Sequence, residues 1–132
     1  MSAAVPGFTV RESKFGPQQT ADRLAGAIAR HGLTLLARID HAAAAANAGM
    51  TLRPTEVFIF GNPKGGTPLM KQAQTIGIDL PLKALVWQDE AGKTWCGYNA
   101  PEWLAARHGV DSKPALDAMA VILAQLVQEA IG

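Results

Sequence analysis

Hydrophobic and polar residues alternate in two stretches of the chain, Phe8 to Ser13 and Leu33 to Asp40. A period of two is typical of a strand with one buried face. The run Glu56 to Phe60 is apolar without alternation, which predicts a central strand covered on both faces. Leu82 to Gln88 and Thr94 to Tyr98 are rich in β-forming residues and are joined by a short loop, which predicts a hairpin. The chain therefore predicts about five strands.

Between these strands, apolar residues recur every three or four positions, as on the buried face of a helix. Such segments run from Pro17 to His31 and from Thr67 to Ile76, and the clearest runs from Leu116 to the carboxyl terminus. Asp40 is placed to cap a short alanine-rich helix, and Asn99 is placed to cap the helix that follows it. Helices and strands thus alternate along most of the sequence.

One α/β (α+β) domain that spans residues 1–132 accounts for this alternation. We expect a mixed β-sheet of about five strands, packed against several helices and followed by a long C-terminal helix. The sequence contains no internal repeat or linker. Val121 and Ile122 lie off the main apolar stripe of the last helix, a position suited to a subunit interface.

Composition narrows the class of protein. Of the 132 residues, 48% are hydrophobic and 17% are charged, which is the profile of a packed globule. A net charge of +1 gives no reason to expect nucleic acid or an anionic membrane as a partner. The amino terminus does not resemble a signal peptide, and we expect no window apolar enough to span a bilayer. With its single cysteine, the chain suits the reducing cytoplasm of a bacterium.

The segment Gly61 to Thr67 follows a predicted buried strand and precedes a predicted helix. Backbone amides at such a helix start can bind an anion, and Lys64 adds a positive charge. The glycine spacing resembles a phosphate-binding P-loop, but Thr67 stands where that motif requires lysine and Pro63 removes an amide donor. This excludes nucleoside triphosphate binding. Two interpretations stay open, an ordinary glycine-rich turn and a small-anion site.

Cys96 and His41 are the candidate catalytic residues. Cys96 lies in a predicted hairpin strand, where a cysteine is most often a small buried residue and only rarely a nucleophile. His41 lies at a strand-to-helix junction, where α/β folds often display functional side chains. His31 and His108 each precede a helix-ending glycine and share no metal-ligand spacing with His41, so we expect no metal site. The sequence assigns no cofactor.

Three ordered blocks carry a resemblance to a known family. They are Phe60-Gly61-Asn62-Pro63-Lys64-Gly65-Gly66-Thr67-Pro68-Leu69-Met70, Ile76-Gly77-Ile78-Asp79-Leu80-Pro81-Leu82-Lys83, and Trp95-Cys96-Gly97-Tyr98-Asn99 with a nearby Pro101. Together they resemble the bacterial family catalogued as domain of unknown function 302. The resemblance implies a compact α/β fold, assembly as a homodimer and no established substrate. The positions here that recur in the family's blocks are Asn62, Pro63, Thr67, Pro68, Leu80, Pro81, Lys83, Tyr98 and Asn99.

Three hypotheses about function remain. The leading one is a non-catalytic binding module for a small polar or anionic ligand at the Gly61–Thr67 loop. Its candidate ligand-binding residues are His41, Asn62, Lys64, Gly65, Gly66, Thr67, Lys83, Tyr98 and Asn99. The second hypothesis is an enzyme that acts through Cys96 or His41. The third is a homodimeric protein-interaction domain that pairs through its C-terminal helix or a sheet edge.

Overall fold

Five strands form one sheet in the computed structural model, which describes residues 4–132. They are β1 (Phe8–Glu12), β2 (Thr34–Asp40), β3 (Thr55–Gly61), β4 (Leu82–Gln88) and β5 (Thr94–Asn99). Their order across the sheet is β1-β5-β4-β3-β2. The five-stranded sheet is confirmed. All pairs among the described strands are antiparallel, so the sheet has no parallel pair of the kind that a mixed sheet contains.

The helical segments are α1 (Pro17–Arg30), α2 (His41–Asn47), α3 (Pro63–Gln72), a 3₁₀ segment (Gln74–Asp79), α4 (Pro101–His108) and α5 (Lys113–Ile131). Helix α1 connects β1 and β2, which are the two edge strands. Its 14 residues make a helix about 21 Å long, close to the roughly 19 Å between the outer strands of a five-stranded sheet. A helix of this length carries the chain from one sheet edge to the other.

The glycine-rich segment after β3 is helical. The side chain of Asn62 caps α3 by accepting a hydrogen bond from the Lys64 amide at 2.9 Å. Pro63 occupies the first turn, where its missing N–H leaves no helical hydrogen bond unmade. The helix ends at Gln72 because the next residue, Ala73, is extended with φ −149°. The expected loop and the expected helix ends at Thr67 and Ile76 are therefore wrong.

Of two further helix caps that the sequence predicted, one is present in the structure and the other is not. The Asp40 carboxylate accepts a hydrogen bond from the Ala43 amide at 2.9 Å, so the predicted cap of α2 is confirmed. Helix α4 instead starts after Ala100, which makes no side-chain cap, and Pro101 takes the first turn. The predicted Asn99 cap is wrong, because Asn99 still belongs to β5 and pairs with Phe8.

Helices α1 and α5 pack on one face of the sheet and enclose the core. Phe58 and Phe60 of β3 are fully buried on that face, opposite Ala84 and Leu82 of β4. The expected long C-terminal helix is confirmed, with a buried stripe formed by Leu116, Met119, Leu123, Leu126, Val127, Ala130 and Ile131. Helix α2 contributes no buried residue.

The second face of the sheet is not covered in the same way. Val57 and Ile59 alternate with the buried phenylalanines of β3, yet both are only half-buried and neither belongs to the core cluster. The expectation that β3 is covered on both faces is therefore wrong for a single chain. The strand is apolar on both sides, but helices are packed against one side.

Helix α5 is long and apolar enough to cross a membrane, by length and composition alone. We expected no such window, and this expectation is corrected. One such helix is weak evidence for a membrane span, because the core helix of a globular domain passes the same test. Here the end of α5 is fixed to α1, since the Arg23 guanidinium donates hydrogen bonds to the Glu129 carbonyl oxygen at 2.8 and 3.1 Å.

Candidate functional site

A pocket lies where β3 runs into α3, and its volume is about 670 Å³. Pockets of this size hold small organic molecules. Both α3 and α5 line it, so we refer to it as the α3–α5 pocket. It gathers five of the nine ligand-binding candidates, which are Asn62, Lys64, Gly65, Gly66 and Thr67.

The walls of the α3–α5 pocket are mainly apolar. Leu33 and Leu36 line it beside β2, Met70 lines it from α3, and Leu80 lines it from the segment before β4. Helix α5 contributes Ala115, Ala118, Met119 and Ile122. The sequence predicted none of these residues as ligand-binding, because an apolar residue on a helix indicates packing until the facing element is known. A lining of this kind favours a ligand with an apolar body.

The few polar side chains of the pocket belong to exposed residues of its lining, which form the rim of the pocket. Asn62, Lys64 and Thr67 are all exposed, and Thr34 adds a hydroxyl from β2. Lys64 is the one charged residue that lines the pocket within residues 4–132. The electrostatic character of this rim is therefore cationic, although the walls behind it carry no charge.

The backbone amides at the start of α3 are already hydrogen-bonded. The Lys64 amide donates to Asn62 Oδ1 at 2.9 Å, and the Gly65 and Gly66 amides donate to the Asn62 carbonyl oxygen at 2.9 and 3.3 Å. Pro63 has no amide hydrogen. The expected cradle of free amides for an anion is therefore absent at these positions, and any ligand there must be held by side chains and by the apolar walls.

His41 lies far from the pocket. It begins α2 directly after β2, and the antiparallel register places Asp40 beside Glu56 but Thr34 beside Gly61. The seven residues of β2 separate these two ends by about 20 Å. His41 and the pocket thus stand at opposite ends of the same strand pair.

The other three ligand-binding candidates also lie outside the pocket lining. Lys83 alternates with the pocket residue Leu82 and so points from the other sheet face, where its Nζ donates to the Pro81 carbonyl oxygen at 3.3 Å. Tyr98 is half-buried against the core, and Asn99 is exposed at the end of β5. Recurrence in the same motif blocks did not place these residues in one site.

Cys96 is fully buried in the core, and burial raises the pKa of its thiol to about 12. A cysteine nucleophile reacts as the thiolate, which this environment disfavours at neutral pH. The geometry therefore argues against the enzyme hypothesis as far as it rests on Cys96. Within residues 4–132 there is also no group of three His, Cys, Asp or Glu side chains able to hold a metal ion.

A hydrogen-bonded cluster on α4 supports one wall of the pocket. His108 pairs through Nε2 with Asp79 Oδ2 at 2.5 Å and through Nδ1 with Thr75 Oγ1 at 2.9 Å. The Arg107 guanidinium donates to both oxygens of the same Asp79 carboxylate, at 2.9 and 3.0 Å. These contacts tie α4 to the 3₁₀ segment, whose Gly77 lines the pocket. The sequence suggested only a helix-terminal role for His108, because its partners are about thirty residues away.

A family model described as Domain of unknown function DUF302 matches residues 8–129. The crystal structure of uncharacterized conserved protein DUF302 from Bacillus stearothermophilus has a TM-score of 0.83 to this fold, at 19% sequence identity. The similarity covers 96% of this chain and 99% of that one. At this identity the solved structure supports the fold alone.

Curated relatives carry a different name. Fluoride-specific ion channel FluC 1 of Brucella suis biovar 1 (strain 1330) is 45% identical over 115 residues, which are 86% of this chain and 45% of the relative. Fluoride-specific ion channel FluC 1 of Brucella abortus biovar 1 (strain 9-941) is also 45% identical over 115 residues, or 86% of this chain and 43% of the relative. The chain thus spans less than half the length of the curated relatives it matches.

Proposed function

This chain belongs to the DUF302 family, described as a domain of unknown function, and from that premise we propose that it binds an amphipathic small molecule in the α3–α5 pocket. The observation that carries the proposal is the combination of an apolar cavity of about 670 Å³ with a single lysine among its lining. The apolar part of the ligand enters the cavity, and its anionic group lies near Lys64.

The lining supports this ligand class over a small inorganic anion. The amides at the start of α3 are occupied by Asn62, so the Lys64 ammonium group is the one charged group of the described lining that a bare anion meets. An exposed charge pair of that kind contributes about 0–1 kcal/mol. Burial of an apolar chain contributes about 0.8 kcal/mol for each CH₂ group, so the walls supply most of the affinity.

A medium-chain carboxylate tests both parts of the site. We expect decanoate to bind the full chain and to raise its melting temperature, and decan-1-ol to bind more weakly because it lacks the charge. Lys64→Gln reduces the affinity for decanoate and leaves that for decan-1-ol nearly unchanged. Isothermal titration calorimetry measures each affinity. Equal loss for both probes would contradict the assignment of Lys64 to the anionic group.

Filling the cavity provides the second test. Ala118 is exposed on α5 and lines the pocket, so Ala118→Trp places an indole ring in the space that the ligand needs. Ala124 is exposed on the same helix and lies outside the pocket lining, which makes Ala124→Trp the matched control. We expect decanoate binding to be lost in the first variant and kept in the second. Binding that survives Ala118→Trp would place the ligand elsewhere.

The names of the curated relatives support a second candidate function, an accessory role beside a fluoride channel. Proteins named fluoride-specific ion channels contain a region 45% identical to this chain, within a sequence more than twice as long as the match. The test is fluoride efflux from vesicles that hold the Brucella suis relative, with and without this chain in the bath. A changed efflux rate supports the role, and an unchanged rate contradicts it.

A further inference from the structure

Exposed aliphatic side chains lie around the mouth of the α3–α5 pocket. Leu36 lines the pocket and is 59% exposed. Ile78 follows the pocket residue Gly77 in the 3₁₀ segment and is 74% exposed, and Val121 precedes the pocket residue Ile122 on α5 and is 57% exposed. Apolar residues that are exposed next to a pocket mark an interaction surface. Three different elements contribute to this one.

A β-bulge accounts for the position of Leu36. Leu35 pairs with Phe60 and Ala37 pairs with Ile59, so Leu36 is an extra residue in the edge strand β2. Strict alternation with Leu35 would direct Leu36 to the second face of the sheet, but a bulge changes the direction of the side chain. The bulge thus brings an exposed leucine to the mouth of the pocket.

The outer face of α3 is basic. Lys64, Thr67, Pro68 and Lys71 are all exposed, and their spacing of three, four and seven residues places them on one side of the helix. Helix α3 contains no acidic residue. Neither lysine forms a salt bridge within the part of the chain that the structure describes. Leu36, Ile78, Val121 and this face of α3 are together called the mouth surface.

Acidic residues on the neighbouring elements do not cancel this charge. They are Asp79, which pairs with Arg107 and His108, Asp117, which pairs with Lys113, and Asp111, which accepts a hydrogen bond from Gln72. Asp79 and Asp117 are each balanced by a cation. Lys64 and Lys71 therefore face one remaining acid, and the region keeps an excess of positive charge.

We propose that the mouth surface docks on an anionic lipid bilayer, from which the pocket takes its amphipathic ligand. This inference rests on the proposed function. The aliphatic side chains enter the boundary between lipid headgroups and acyl chains, and the two lysines contact the lipid phosphates. The net charge of +1 gives no long-range attraction, so binding depends on direct contact with this surface.

A bilayer fits the mouth surface better than a soluble acidic peptide does. An acidic peptide would use the lysines of α3 and leave Leu36, Ile78 and Val121 in water, whereas a bilayer removes these side chains from water as well. The ligand points in the same direction, because a molecule with an apolar body and an anionic group partitions into lipid layers. The pocket then opens toward the layer that holds its ligand.

Cosedimentation with vesicles tests the docking of the full chain. We expect it to bind vesicles of equal parts phosphatidylglycerol and phosphatidylcholine, and to bind pure phosphatidylcholine more weakly. Ile78→Asp should lower the partition constant for the mixed vesicles by at least about tenfold, since it replaces an inserted apolar group by an anion. Lys71→Gln should lower it about fivefold.

Two control substitutions make the same changes away from the mouth surface. Leu52 is 47% exposed before β3, at the end of the strand pair that carries His41, and Lys93 is exposed in the loop between β4 and β5. Leu52→Asp and Lys93→Gln should leave vesicle binding unchanged. Circular dichroism establishes that each variant is folded. Equal losses in Ile78→Asp and Leu52→Asp would indicate attraction by charge alone, as for a soluble acidic partner, and would overturn the proposal.

Decanoate binding separates the docking surface from the pocket. Ile78 and Lys71 do not line the pocket, so their variants should bind decanoate in solution as the natural chain does. A natural chain that binds decanoate but no vesicles would overturn the docking and leave the proposed function intact. A chain that binds vesicles but no decanoate would contradict the proposed function, and with it the uptake of ligand from the bilayer.

Discussion

The ring of Phe8 lies directly over Gly97 of the neighbouring strand. A β-carbon at position 97 would stand 2.6 Å from Cζ of Phe8 and 3.0 Å from the Thr9 carbonyl oxygen. Gly97 has no positive φ angle, so glycine is required there for space and not for backbone conformation. The missing side chain is what allows Phe8 to lie flat on the sheet and reach Trp87.

Gly97→Ala should therefore destabilise the protein. The added methyl group must displace the Phe8 ring from its stack on Trp87, and an overpacked position of this kind costs about 1–3 kcal/mol. Urea denaturation measures the change in the free energy of unfolding. Unchanged stability would mean that Phe8 moves aside freely and that its stack contributes little.

Gly65→Ala is the same substitution as Gly97→Ala, but it should stabilise the protein. Gly65 lies inside α3 without a positive φ angle, and a β-carbon there would meet Cε of Met119 at 3.6 Å, an ordinary contact. Replacing a helical glycine by alanine raises the free energy of unfolding by about 0.5–1 kcal/mol, because the unfolded chain loses conformational freedom. We expect a higher urea midpoint. A loss of stability would show that α3 needs the bare backbone at its first turn.

His108→Ala should lower the free energy of unfolding by about 1–2 kcal/mol, because it removes a nearly buried partner of the Asp79 carboxylate. Arg107→Ala removes the other partner of the same carboxylate, but the Arg107 side chain is 53% exposed, so its loss should cost less than about 1 kcal/mol. Thermal unfolding of both variants compares the two contacts. A larger loss for the arginine variant would reverse this ranking.

The pH dependence of stability tests the contact between α1 and α5. Hydrogen bonds from His31 and Arg30 lower the pKa of the Glu129 carboxyl below its ordinary value of 4.5, and the His31 bond has the larger effect. A lowered pKa stabilises the folded state above the unfolded value, and this contribution is lost as the pH falls through the folded value. The difference in melting temperature between the natural chain and Glu129→Gln should thus shrink as the pH falls below about 4.5. A difference that does not change with pH would contradict it.

Cys96 should resist thiol reagents in the folded protein. With a pKa of about 12, on the order of 0.01% of the thiol is ionised at pH 8, and burial blocks access as well. Reaction with a coloured disulfide reagent should be slow in buffer and rapid in denaturant. In Val121→Cys one thiol is exposed, so a fast phase should appear beside the slow one. Fast reaction of the natural chain would restore the enzyme hypothesis.

The part of the candidate site that α3 forms could be found from sequence, but the apolar walls could not. Five ligand-binding candidates lie within one six-residue segment, so a motif that includes one of them includes the others as well. They are Asn62, Lys64, Gly65, Gly66 and Thr67. His41 could not be separated from them, because its distance depends on the antiparallel register of β2 with β3. The apolar walls were missed for a related reason, since α5 reaches the pocket only after the chain has crossed the sheet.

The sequence by itself determined the five strands and the order in which strands and α-helices follow each other, because hydrophobic periodicity and capping residues such as Asp40 act over a few neighbouring positions. The unbroken apolar run in β3 also indicates that both faces of this strand are apolar. The tertiary structure decided the strand order, the internal use of the α3 amides and which face of the sheet stays open. These depend on contacts between residues far apart in the chain, such as Phe8 with Gly97, which leave no local pattern.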